Sequence, residues 1–250
     1  KMQLLAAAAV MVVAGQASAA ITLGSTQGGS SLFLSVWDVT TNESYTRNLG
    51  SNLNGWLPNS ITTLPNDGNI AGTSVTGDKT PTGGLALNFA GDALFASTFS
   101  NNSAANIQWN IVAYDNQASA ATGLSRVVTT VNGTPGTTNS GMSLIGSGAT
   151  NYLNTLIAQT TIGGVDNSVV VTDPTSQAFA GNANWGDGLN GGLNGSSSTF
   201  GFGSVLDFYY LARTVVSGSG SASATNVQFG NSAGFAKWTL AADGAATYSL

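Results

Sequence analysis

From residue 20 onward the chain consists of apolar runs of strand length, punctuated by Gly, Asn, Ser and Asp, and this punctuation confines it to a mainly β fold. Residues 31–39 set the pattern, Ser-Leu-Phe-Leu-Ser-Val-Trp-Asp-Val. On a strand, Leu32, Leu34 and Val36 fall on one face and Phe33, Ser35 and Trp37 on the other. Thr40 to Glu43 read as a turn and Ser44 to Leu49 as the returning strand. A hairpin centred on Asn42-Glu43 places Asp38 opposite Arg47, a structural ion pair worth about 0.2–1 kcal/mol that helps fix register.

Further strands are expected over 85–89, 93–99, 107–114, 125–131, 169–172, 204–216 and 225–229. Ile107, Trp109, Ile111 and Ala113 share one face of theirs, while the strand from Ser204 carries aromatics on both. A closing hairpin over 237–248 has Asp243-Gly244 at its tip, a favoured two-residue turn pair. One short helix is expected, capped by Thr150 or Asn151, with Tyr152, Leu153, Leu156 and Ile157 at helical spacing. Residues 50–84 and 181–204 read as irregular loops, the second too polar to build a core. The expected fold is a β-sandwich or jelly-roll-like antiparallel domain spanning residues 20–250.

Lys1, the apolar run from Leu4 to Ala14 and Gly15-Gln-Ala-Ser-Ala19 have the order of a secretory signal, with cleavage expected after Ala19. A buried N-terminal helix is the competing reading of that segment. The apolar run is shorter than the ~20 residues that span a bilayer, so no stable membrane span is expected. An exported chain without a cysteine holds no disulfide, and its stability must come from sheet packing.

The chain has neither Cys nor His, which removes thiol nucleophiles, the usual zinc ligand sets and the Ser-His-Asp triad. A net charge of -5 offers nothing to nucleic acid or an anionic membrane. Hydrolysis by paired carboxylates needs two of them across a cleft. Of the ten Asp, Asp67, Asp187 and Asp243 precede Gly, Asp115 and Asp166 precede Asn, Asp173 precedes Pro, and Asp78 and Asp92 follow Gly. Those are turn contexts. Catalytic residues and cofactors are therefore not expected, and a secreted Asp-dependent hydrolase is the weakest alternative. Asn182, Asn184 and Asp187 supply hard oxygens at the spacing of a weak calcium site. Trp56, Trp185 and Tyr209 stand in or near polar surroundings and are the candidate glycan contacts.

Several of these segments together resemble a family of exported bacterial surface proteins that carry a PEP-CTERM sorting tail. The resemblance rests on the export signal, Ser31 to Asp38 with Ser44 to Arg47, Phe89 to Phe95, Trp109 to Asp115, and Trp238 to Gly244. It implies export to the cell surface or matrix, association with exopolysaccharide and biofilm, and glycosylation. The tail's Pro-Glu-Pro motif, apolar span and basic end do not occur in this sequence, whose one Glu is Glu43, so the likeness lies in the family's body and not in its tail.

Charged residues make up 7% of the chain, against about 25% in ordinary globular domains. Strand edges are normally guarded by such residues. The expectation is a secreted, non-enzymatic structural protein that associates with itself through strand edges or an exchanged terminal strand, with fibres in biofilm as one form of that assembly. A polysaccharide-binding module of the extracellular matrix is the alternative.

Overall fold

The computed structural model describes residues 11–12, 21–23, 30–53, 86–115, 125–160, 162, 167–194, 197–214, 220–231 and 234–249. The chain is mainly antiparallel β, as its punctuation predicts, and one sheet curls into a half barrel. The long strands are β2 (Ser31–Asp38), β3 (Glu43–Asn52), β5 (Ile107–Asp115), β6 (Arg126–Val131) and β9 (Val205–Ala212). Shorter ones are β1 (Met11–Val12), β4 (Ala86–Phe89), β7 (Ser168–Val171), β8 (Phe200–Gly201), β10 (Thr225–Gln228), β13 (Lys237–Leu240) and β14 (Ala246–Ser249). Their order in the sheet is β1-β4-β14-β13-β9-β6-β5-β2-β3-β7, with β10 beside β9 and β8 beside β5. A separate two-stranded ribbon joins β11 (Gly230–Asn231) to β12 (Gly234–Phe235).

The parity read from the sequence sorts the core. Leu32, Leu34, Val36, Trp109, Ile111, Phe208, Trp238 and Tyr248 bury on one face. Phe33, Trp37, Val112, Tyr114, Val127 and Leu211 bury on the other. The central strands are thus covered on both sides, and β2 is buried at every residue.

Among the described residues two α-helices supply the cover. The first, α1 (Ala93–Phe99), replaces the strand expected there. Asp92 caps it by accepting from the Leu94 N–H at 2.8 Å, and Phe95 and Phe99, four residues apart, drop into the first core. The second, α2 (Asn139–Gln159), is capped twelve residues before Thr150, the earlier of the two expected caps, Thr150 and Asn151. Its cap is Thr138, whose hydroxyl accepts from the Gly141 N–H at 3.1 Å. Gly141, Gly146 and Gly148 conceal the helix in the sequence, because each weakens helix propensity by about 1 kcal/mol. Here they permit close approach: a Cβ on Gly141 would stand 2.4 Å from the Gly192 carbonyl oxygen, and one on Gly148 2.3 Å from that of Asn184.

Gly141 and Gly148 thus meet Gly192 and Asn184, which lie in the 181–204 segment expected to be a polar loop without a core. Residues 173–185 wind through successive turns, with N–H to carbonyl bonds from Ser176 to Asp173, Phe179 to Ser176, Asn182 to Phe179 and Trp185 to Asn182. This winding buries Phe179, Trp185, Leu189 and Leu193 against α2.

Two hairpin tips differ from expectation. Asp38 pairs with Glu43 across the β2–β3 hairpin, and Arg47 lies opposite Leu34, so the Asp38–Arg47 pair does not form. The cause is local: Asp38 Oδ1 accepts from the Thr40 N–H at 2.7 Å and its hydroxyl at 2.6 Å, and Asn42 takes φ 57°. These bonds draw the turn toward β2. In the β13–β14 hairpin the Ala241 N–H bonds the Ala245 carbonyl at 2.8 Å, enclosing three residues rather than two, with Gly244 at φ 84°.

Candidate assembly edge and adjoining cleft

β7 bounds the sheet. It pairs with β3 from Ser44–Val171 to Arg47–Ser168, and among the described residues no strand lies on its outer side. The Asn48 N–H bonds the Asn167 carbonyl at 2.8 Å, which fixes the alternation of the ladder. Asn167, Val169 and Val171 turn their peptide groups toward β3; Ser168 and Val170 turn theirs outward. The strand reads Ser-Val-Val-Val, without charge or proline, and each residue is half-buried. β4, at the other border, is also uncharged, and its outer side carries β1 alongside Leu87 and Asn88.

The curl brings the two borders together at Asp92. The Tyr45 hydroxyl of β3 donates to Asp92 Oδ2 at 2.9 Å, the Ser168 hydroxyl of β7 also bonds this carboxylate, and Arg47 donates to the Ala90 carbonyl at 2.6 Å. Burial pushes the Asp92 pKa upward, but the bonds from Tyr45, Ser168 and the Leu94 N–H, with the charge of Arg47, hold it below the ordinary carboxylate range. Tyr45 is displaced the other way, raised by burial and then by the Asp92 charge. Asp92 thus serves as a helix cap and a stitch between borders, not as a turn residue.

Other ionic groups are also spent on structure. Asp115 and Arg126 face each other across β5 and β6 with a 3.0 Å contact, both side chains 1% exposed, so neither guards an edge. Lys237 and Asp207 pair across β13 and β9. Asp38 and Glu43 both accept from Asn102 Nδ2, at 3.2 and 2.9 Å, which ties the hairpin tip to the segment after α1. Asp173 and Asp243 keep the turn roles expected of them, bonding the N–H groups of Thr175 and Ala245.

The glycan-contact and calcium expectations fare differently. Trp185 is fully buried, stacked on Tyr152 at 5.1 Å and 5°, and Tyr209 is 6% exposed, so neither presents a ring to solvent. Packing against α2 and β10 accounts for both. Trp56 lies outside the described residues. Asn182 is consumed locally, its Oδ1 accepting from the Asn184 N–H at 2.9 Å and its Nδ2 donating to Ser176. Asp187 turns instead to Ser197 and Thr199, so the three calcium candidates do not converge. Among the described residues no group of three or more carboxylates forms a metal site.

Asp187 belongs to a cleft that sequence reading missed. A polar cavity of about 580 Å³ is lined by Asp187, Gln108, Asn132, Ser197 and Thr199. Phe99, Ile107 and Leu240 line an apolar one of about 540 Å³. Ala104 and Phe202 belong to both walls. The polar residues come from β5, the end of β6, the turns after α2 and the approach to β8, too dispersed to form a motif.

No protein family, curated protein or solved structure matches the chain.

Proposed function

We propose that this chain is an exported, non-enzymatic structural protein of the cell surface or extracellular matrix, and that copies pair along the border of the sheet. The observation that carries the reading is β7, an uncharged strand whose Ser168 and Val170 peptide groups face away from β3. A row of outward N–H and C=O groups is a template for another strand, and ordinary proteins blunt it with Lys, Glu, Pro or a bulge. Ser168–Val171 has none of these. The ion pairs of Arg47, Arg126 and Lys237 reduce the charge left to keep copies apart. Export rests on the order of charge, apolar run and small residues over 1–19, and a matrix location on the resemblance those segments carry.

Val170→Pro tests the reading, because its outward N–H is absent from the ladder with β3 and its loss leaves those bonds intact. Sedimentation of the full chain, in which β1 lies along the β4 border, should show concentration-dependent oligomers, and the proline variant should remain monomeric with unchanged circular dichroism. A wild-type monomer at high concentration, or undiminished assembly of the variant, overturns the proposal.

A further inference from the structure

The adjoining clefts carry an inference independent of assembly. We propose that they form one site for a neutral, hydroxyl-rich glycan chain, with Asp187 and Gln108 holding sugar hydroxyls and Phe202 carrying a sugar ring. Each cavity, at about 580 and 540 Å³, has the size of a small-molecule site, one is lined mainly by polar and the other mainly by apolar side chains, and the two share Ala104 and Phe202.

The polar cavity is pre-organised. Thr199 is 2% exposed, and its hydroxyl is held by Gln108 Oε1 at 2.9 Å and Asp187 Oδ1 at 3.2 Å. Ser197 Oγ donates to the same Oδ1 at 2.6 Å. Both contacts fall on one carboxylate oxygen, which leaves Oδ2 to accept from a ligand. The engaged Gln108 Oε1 leaves Nε2 to donate. An acceptor beside a donor matches two neighbouring hydroxyls of a sugar, each of which gives and receives a hydrogen bond.

Phe202 forms a wall common to both cavities. Its ring meets Phe95 edge-on, at 5.8 Å and 79°, which fixes its plane while the side chain stays partly exposed. A fixed aromatic plane receives the C–H face of a pyranose at little entropic cost. The lining holds one carboxylate and no Lys or Arg, so it offers nothing to a phosphate or uronate and repels both.

Native electrophoresis of the mature chain through gels containing dextran, laminarin, galactomannan or alginate tests the proposal. Retardation by at least one of the three neutral polymers and none by alginate is the expected result. Trp109 reports binding independently by fluorescence, because its indole N–H donates to the carbonyl of Gly201 in the cleft wall. Asp187→Asn and Phe202→Leu, which preserve volume or apolar contact, should each weaken the apparent affinity at least about tenfold. Gln108→Glu places a second carboxylate beside Asp187 and should abolish binding, which keeps the test decisive if Phe202→Leu fails to fold. Retardation by alginate alone, by no polymer, or undiminished in the folded variants overturns the proposal. Repeating the gels with Val170→Pro separates glycan binding from self-association, since the proline changes only the β7 border.

Discussion

Gly146 of α2 lies so close to Tyr114 of β5 that a Cβ on the glycine would stand 2.1 Å from the phenol oxygen. Both residues are buried, and the Tyr114 hydroxyl also bonds Ser125 Oγ at 3.2 Å, so the ring has a partner to lose if it moves. The helix can rest on the sheet at this distance only because residue 146 has no side chain.

Gly146→Ala should therefore destabilise the fold, although alanine is the better helix former. Relief of the contact costs about 1–3 kcal/mol, which exceeds the ~1 kcal/mol gained in propensity. Ser147→Ala, one position along on the exposed side, should change stability by no more than about 0.5 kcal/mol. Urea unfolding of both variants measures the contrast, and a stabilised Gly146→Ala would show that the helix does not sit this close.

Alkali should unfold the protein through its phenols. Burial pushes Tyr114 and Tyr152 up to about 12, and Tyr45 and Tyr248 are raised for the same first reason. The neutral phenol is favoured in the fold, so this contribution is complete below pH ~10, the unfolded value, and is lost as pH rises through the folded values. Tyrosinate absorbance should show a class of phenols that ionises only near pH 12, together with loss of near-ultraviolet circular dichroism. Phenols that all titrate freely near pH 10 in folded protein would contradict this.

The legibility of the sequence divides along a physical line. Strand faces were readable because a pleat alternates whatever the tertiary context: Leu34 and Trp37 fall on opposite cores as their parity requires. The start of α2 was not, because Gly141, Gly146 and Gly148 serve contacts with residues distant in sequence at the expense of local propensity. Trp185, set among Gly and Asn, was a candidate glycan contact, yet the turns that carry it fold onto α2. The uncharged character of β7 was visible in Val169-Val-Val171, whereas its place at the border depends on the order of all the strands. The cleft left no signal, since Gln108, Asp187 and Thr199 meet only after the sheet has curled.

Acid should loosen the seam at which the sheet's borders meet. The bonds and charge around Asp92 depress its pKa, so its contribution is present above the unfolded carboxylate value of about 3.9 and is lost as pH falls through the lower folded value. Asp92→Asn retains a helix cap but gives up the charge toward Arg47, 4.0 Å away, and weakens the bonds from Tyr45 and Ser168. It should cost about 1–2 kcal/mol at pH 7 by urea unfolding, and the gap from wild type should narrow as the pH is taken below the carboxylate range. Hydrogen exchange reads the local consequence: the Thr46 and Val169 amides, directly paired across β3 and β7, should lose protection in the variant at neutral pH, and in the wild type on acidification. The central Leu34 and Ile111 amides, in β2 and β5, should stay protected under the same conditions, that of Ile111 through its bond to Thr130 Oγ1. Equal protection at both places, or a gap in stability that does not change with pH, would mean that Asp92 caps α1 and nothing more. Should the border open as described, acid would also expose more of the edge along which copies are proposed to pair, so assembly should strengthen as pH falls, and Asp92→Asn should already assemble at neutral pH more readily than the wild type.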